Sequence, residues 1–126
     1  MRGVLVDSSV WIRGLAGLEA FAKAFGELLS GRQVLGHPLV YGELLIGDVG
    51  GGRQRVLSRY RLMSYARAAE HDAVVDMVLS HRLSGRGLSW IDVHLLASAL
   101  LEGVPLWTAD RALNDAAAAV GIAYVP

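Results

Sequence analysis

The sequence predicts a single α/β domain, residues 1–126, in which a central parallel sheet is covered by helices on both faces. Three observations lead there. Val4-Leu5-Val6 is an uninterrupted apolar run, as expected of a strand buried on both faces rather than an edge strand with alternating polarity. Short apolar runs then alternate with longer segments of helical spacing, the pattern of a parallel sheet closed by helical crossovers. A chain of 126 residues can also bury one substantial core without staples, which suits a sequence that has no cysteine.

In chain order, the first strand ends on Asp7-Ser8-Ser9, and residues 10–30 are rich in Leu, Ala and Phe at helical spacing, with Gly14 and Gly17 expected to break them into two helices. Residues 33–36 read as a second short strand. His37-Pro38 is the turn into a helix from about Leu39 that carries Glu43, since proline fits a first helical turn. Residues 48–52 contain three consecutive glycines and form a flexible connector, followed by the one local basic cluster, Arg53, Arg55, Arg59 and Arg61. Residues 62–66 are expected to be a third strand and 69–83 a long amphipathic helix. The helix over 88–101 opens at Ser89. Residues 106–108 form a strand, Asp110 opens a short helix through Ala119, and 122–125 close the chain as a last strand.

The bulk numbers exclude several classes. Twelve acidic and twelve basic residues give a formal net charge of zero, so any nucleic-acid surface must be local. Without cysteine there are no disulfides, thiolate zinc sites or thiol nucleophiles. A hydrophobic content of 53% and a mean hydropathy of +0.39 are high for a lone soluble domain, so self-association or a partner is expected. The opening stretch is too short in apolar residues for a signal peptide and no later run spans a bilayer, so the expectation is a cytoplasmic protein with no membrane partner.

Four carboxylates stand at element ends or on apolar helices: Asp7, Glu43, Asp92 and Asp110. Each has a structural explanation, since Ser89 with Asp92 fits a capping box and Asp110 fits an N-cap. Together they suggest more, because Asp7 and Asp110 follow strands that a doubly wound sheet brings to one edge, where ligands bind. Carboxylates drawn together repel one another unless a cation is present. An all-oxygen donor set favours a hard ion such as Mg²⁺ or Mn²⁺, which can activate a water for in-line attack on a phosphodiester and offset charge building on the phosphate. Other chemistries fit poorly. Gly50-Gly51-Gly52-Arg53 lacks the ending of a P-loop, Gly87-Leu88-Ser89-Trp90-Ile91 lacks the last glycine of a nucleophile elbow, and the four histidines read as structural or surface groups.

Four segments in this order resemble the PIN-domain ribonucleases, and among them the VapC toxins of toxin-antitoxin pairs: Val4-Leu5-Val6-Asp7-Ser8-Ser9-Val10-Trp11-Ile12, Gly42-Glu43-Leu44-Leu45-Ile46-Gly47, residues 87–97 around Ser89-Trp90-Ile91-Asp92, and Leu106-Trp107-Thr108-Ala109-Asp110-Arg111-Ala112-Leu113. The resemblance covers essentially the whole chain. It implies a three-layer α/β/α sandwich and a metal-dependent endoribonuclease in which Asp7, Glu43, Asp92 and Asp110 surround Mg²⁺ or Mn²⁺, with Ser9 and Thr108 as supporting polar groups. It further implies hydrolysis of RNA to a 5′-phosphate and a 3′-hydroxyl, a homodimer, and silencing by a cognate VapB-like antitoxin. Where many relatives carry a further Asp and an aromatic, this chain has Ala112 and Leu113, which leaves Asp115 as a candidate outer ligand and the number of ions, one or two, open. Arg53, Arg55, Arg59 and Arg61 are candidates for holding RNA phosphates. The alternative is a non-catalytic interaction domain whose acids only cap helices. A phospho-accepting receiver domain would need a lysine after a late strand, and the only lysine is Lys23.

Overall fold

The computed structural model describes residues 3–126; Met1 and Arg2 of the expected domain lie outside the described residues. Three parallel strands, β1 (Val4–Val6), β2 (Val34–Leu35) and β3 (Leu106–Trp107), stand in the order β2-β1-β3. The register pairs Val4 with Val34 and Leu5 with Leu35 on one side, and Leu5 with Leu106 and Val6 with Trp107 on the other. The central position of β1 explains its unbroken apolar run: Val4, Leu5 and Val6 are all fully buried. The fold is the α/β sandwich on a parallel sheet expected from the sequence.

Seven helices surround it among the described residues: α1 (Ser8–Leu15), α2 (Glu19–Ser30), α3 (Pro38–Ile46), α4 (Arg53–Arg61), α5 (His71–Ser80), α6 (Trp90–Glu102) and α7 (Arg111–Ala119). Helix α1 packs on α2 and α3, α3 on α4, and α6 on α5, α7 and β3. The two glycines expected to break residues 10–30 have different tasks. Gly17, at φ 75°, makes the turn between α1 and α2, whereas Gly14 stays inside α1. A Cβ at Gly14 would meet the Phe25 ring at 2.4 Å, so its absence lets the two helices approach closely.

Three expected elements come out differently. Residues 62–66 and 122–125 are not strands but single parallel bridges, Gly36 to Tyr65 and Leu106 to Ala123. Each extends the sheet by one rung: Gly36 N–H donates to Ser64 O and Gly36 O accepts from Ala66 N–H, while Leu106 exchanges the equivalent pair with Ile122 and Tyr124. An apolar run predicts sheet proximity but not how many rungs form. The helix expected over 69–83 covers only α5, because Arg82 takes up a left-handed conformation (φ 54°) and the amide of Leu83 turns back to Val78 O, a Schellman stop with arginine in glycine's usual place.

Candidate active site

The chain leaves β1 at Asp7, which is only 5% exposed and is the N-cap residue of α1 by backbone geometry but not by its side chain. Its carboxylate faces across the sheet edge instead. Oδ2 accepts hydrogen bonds from Ser9 Oγ at 2.7 Å and Thr108 Oγ1 at 2.8 Å. Both hydroxyls are themselves fixed by the chain after β3, since Ser9 Oγ accepts the Ala109 amide at 2.9 Å and Thr108 Oγ1 accepts the Asp110 amide at 3.0 Å. The ends of the two strands are thus laced together through one carboxylate oxygen. Ser9 and Thr108, named from the sequence as candidate supporting groups, are the two hydroxyls bonded to Asp7 Oδ2.

Asp110 and Asp92 reach the same edge as helix caps. Asp110 Oδ2 accepts the Leu113 amide at 3.0 Å at the start of α7. Asp92 Oδ2 accepts the Ser89 amide at 2.9 Å while Ser89 Oγ accepts the Asp92 amide, the reciprocal capping box. The capping and functional readings of these residues are therefore compatible. Each cap engages one oxygen, which fixes where the other can point. Glu43 projects from α3, and Ser8 Oγ donates to its Oε1 at 3.0 Å. That bond gives Ser8 a role the sequence did not reveal, because its partner lies 35 positions away; its only signal was adjacency to Asp7.

The four carboxylates feel one another. Burial raises the pKa of Glu43, the Ser8 hydrogen bond opposes it, and the charges of Asp7 and Asp92 push it further up. Asp92 is also raised, first by burial and further by the charges of Asp7 and Asp110, against its hydrogen bonds to Ser89. No basic side chain appears among the influences that pull either group down. The donor chemistry therefore suits a hard divalent cation: oxygen atoms only, with Asp7 buried, Glu43 and Asp92 partly buried and Asp110 exposed, and carrying charges that repel one another. No group of three or more such side chains among the described residues is arranged to hold an ion as it stands, so the fit is one of chemistry and placement, not of a preformed coordination sphere.

These features coincide with family membership. The family profile described as "PIN domain" matches residues 4–119. The chain belongs to the PIN-domain family. It is also similar to two curated relatives, both named Ribonuclease VapC32, from the CDC 1551 / Oshkosh and the ATCC 25618 / H37Rv strains of Mycobacterium tuberculosis. Each is 40% identical over 121 residues, covering 95% of this chain and 94% of the relative. The PIN-domain match contains all four acidic residues, both bonded hydroxyls and the Ser89 cap within its limits.

The remaining candidates are dispersed. Asp115 is exposed on α7 and is not among the charges acting on Glu43 or Asp92. Arg53 donates to Leu45 O near the end of α3. Arg59 lines a groove with Arg32, Val34 and Leu62, beside the start of β2 and so at the opposite end of the sheet from Asp7. Arg55 and Arg61 are exposed on α4. Of the histidines, His37 is buried (1% exposed) as the side-chain cap of α3, in keeping with a structural role.

Proposed function

We propose that this protein is a metal-dependent endoribonuclease of the VapC toxin type that hydrolyses RNA phosphodiester bonds. The observation that carries the reading is the gathering of Asp7, Glu43, Asp92 and Asp110 at the carboxyl edge of the sheet, in a PIN-domain chain 40% identical to proteins named as ribonucleases. Asp7, Glu43, Asp92 and Asp110 would hold Mg²⁺ or Mn²⁺. Such an ion lowers the pKa of a bound water and offsets charge on a phosphate. Ser9 and Thr108 orient Asp7 by taking one of its oxygens, Ser8 orients Glu43, and Ser89 orients Asp92. Asp115 could contribute only from an outer position. Exposed arginines of α4, Arg55 and Arg61 above all, would meet RNA phosphates; neutralising both should flatten the salt dependence of binding.

An antitoxin of VapB type is the proposed partner. Supporting it is an apolar groove formed by Ile12, Leu15, Val49 and Val56, beside Ile46, which is 86% exposed at the end of α3. A segment lying there is bounded by α1, the helix that carries Ser8 and Ser9, and by the 48–51 connector and α4. The same surplus of apolar surface supports a homodimer, to be checked by sedimentation. No helix among the described residues is long and apolar enough to cross a membrane.

The reading is tested by incubating purified protein with total RNA in Mn²⁺, in Mg²⁺ and in chelator, with Asp7→Asn alongside. Discrete fragments that need both the ion and Asp7 are expected. A second reading, a non-catalytic binding domain, is favoured by the fact that no group of three or more acidic side chains among the described residues is arranged to hold an ion as it stands and that two of them already serve as caps. It predicts no cleavage under any of these conditions.

A further inference from the structure

Arg13 stands in the last turn of α1, where a cation offsets the helix dipole, yet its side chain does not reach for the carbonyls at that end. It folds back one turn, and Nη1 donates to Ser9 O at 3.0 Å. Its guanidinium carbon stands over the Phe21 ring of α2, 5.9 Å from the centroid, and Phe21 in turn stacks on Trp107 with ring centroids 6.3 Å apart and planes at 24°. Ser9 and the residue after Trp107, Thr108, are the two hydroxyl donors to Asp7 Oδ2. Two lines of contact therefore carry Arg13 to the acidic edge. The first, from Arg13 through Ser9 to Asp7, places the guanidinium within roughly 10 Å of that oxygen, given standard backbone dimensions.

Position and charge favour a phosphate as the ligand. A helix carbonyl points along the axis toward the C-terminus, so Ser9 O holds the cation one turn in from the lip of the site, beside the acids and not among them. Arg13 is not among the influences on Glu43 or Asp92, and those carboxylates keep their charge for an ion. Among the described residues the guanidinium has no ion pair; its polar and ring contacts are Ser9 O and Phe21. The side chain is only half-buried, and a guanidinium carries five N–H donors. A fork held in place by a carbonyl and a ring, with most of its donors uncommitted, matches phosphate oxygens in shape and charge. None of the four α4 arginines is bonded to a residue of the acidic edge.

Resting on the ribonuclease reading, we propose that Arg13 binds a backbone phosphate flanking the scissile one, holding the RNA strand across the acidic edge without touching the metal-binding carboxylates. A span of up to roughly 10 Å corresponds to at most about three nucleotides at the spacing of a stacked strand.

Salt dependence provides the test, because it counts phosphate contacts. In an Asp7→Asn background, which keeps the RNA intact, a short single-stranded RNA of mixed sequence is titrated in Mg²⁺ at several potassium chloride concentrations and followed by anisotropy. Arg13→Gln should weaken binding about tenfold and reduce the slope of log K against log salt by about 0.7. Arg13→Lys should restore the slope, which depends on charge, but only part of the affinity, which depends on the fork. In an otherwise wild-type chain, Mn²⁺ should raise the unfolding midpoint of Arg13→Gln as much as that of wild type. Equal affinity of the Asp7→Asn parent and its Arg13→Gln derivative overturns the proposal alone, as does a loss of affinity with the slope unchanged or a slope that lysine does not restore. A smaller Mn²⁺ effect in Arg13→Gln makes Arg13 a support for Ser9 and also overturns it. Failure of the parent to bind any RNA overturns the ribonuclease reading and this proposal with it.

Discussion

Two polar clusters lie at the same end of the sheet, one after β1 and one after β2, and they meet burial in opposite ways. Around His37 donors and acceptors match. Its Nδ1 accepts the Leu39 amide at 3.1 Å, which leaves the ring proton on Nε2 to be given to Ser98 Oγ at 3.0 Å. Its backbone amide donates to Tyr60 Oη at 2.8 Å, and Ser98 Oγ also accepts the Ala69 amide. Around Asp7, carboxylate oxygens outnumber the hydroxyls and amides that face them, and burial, with repulsion between carboxylates adding to it, raises Glu43 and Asp92 with no basic side chain among the opposing influences. A matched cluster ties α3, α4 and α6 together and has no capacity left over. An unmatched one retains capacity for a ligand, and its imbalance indicates that ligand's charge.

The comparison can be broken most severely at Asp7. Asp7→Asn keeps the size of the side chain and an acceptor for Ser9 and Thr108, so the fold should persist while RNA cleavage falls by about 10³-fold or more; gel assay of cleavage and circular dichroism check the two halves. His37→Ala should do the reverse. Stripping the partners of Leu39 and Ser98 in a buried place is expected to cost on the order of 3 kcal/mol in denaturant unfolding, with cleavage by the folded fraction retained.

Acidification separates the clusters further. Burial, with a smaller push from His94, lowers the His37 pKa to about 4, below the ordinary value near 6.5. The unfolded chain therefore takes up this proton first, and the stability His37 contributes is lost as pH falls from about 6.5 to 4. Glu43 and Asp92 are raised, so their sign is opposite: the folded state takes up their protons first, and their ionisation penalty is relieved as pH drops through the raised values. Wild type compared with His37→Ala should converge in stability toward pH 4, and wild type compared with Glu43→Gln should converge as Glu43 protonates.

Smaller effects sharpen the account. Thr108→Val removes one of the two strong donors to Asp7 and should weaken Mn²⁺ binding about 10–100-fold, read by titration calorimetry. Glu43→Gln keeps the bond from Ser8 but removes a repelling charge, so at neutral pH without added metal it should be more stable than wild type by on the order of 0.5 kcal/mol.

Much of this was legible in the sequence because strand ends and caps are local signals. Asp7 and Asp110 end apolar runs, and Ser89 with Asp92 spells its capping box in four residues. Long-range pairings were not legible. The Ser8 to Glu43 bond and the His37 to Ser98 bond join residues 35 and 61 positions apart, and neither is implied by spacing. The arginines of α4 looked like one cluster because four positions in nine carry the charge, yet α4 turns Arg53 toward α3 and Arg59 toward the start of β2. Residues 62–66 and 122–125 had the apolar character of strands, yet each meets the sheet at a single rung, and composition does not encode how many rungs form.

The most direct measurement is the thermal unfolding midpoint in Mn²⁺ and in chelator for wild type and Asp7→Asn. If the carboxylates form a cation site, wild type should gain about 2.7 kcal/mol when the ion is at about 100 times its Kd, and Asp7→Asn should gain little. Identical midpoints for wild type with and without the ion, up to millimolar Mn²⁺, would contradict the account and leave the acidic residues as helix caps.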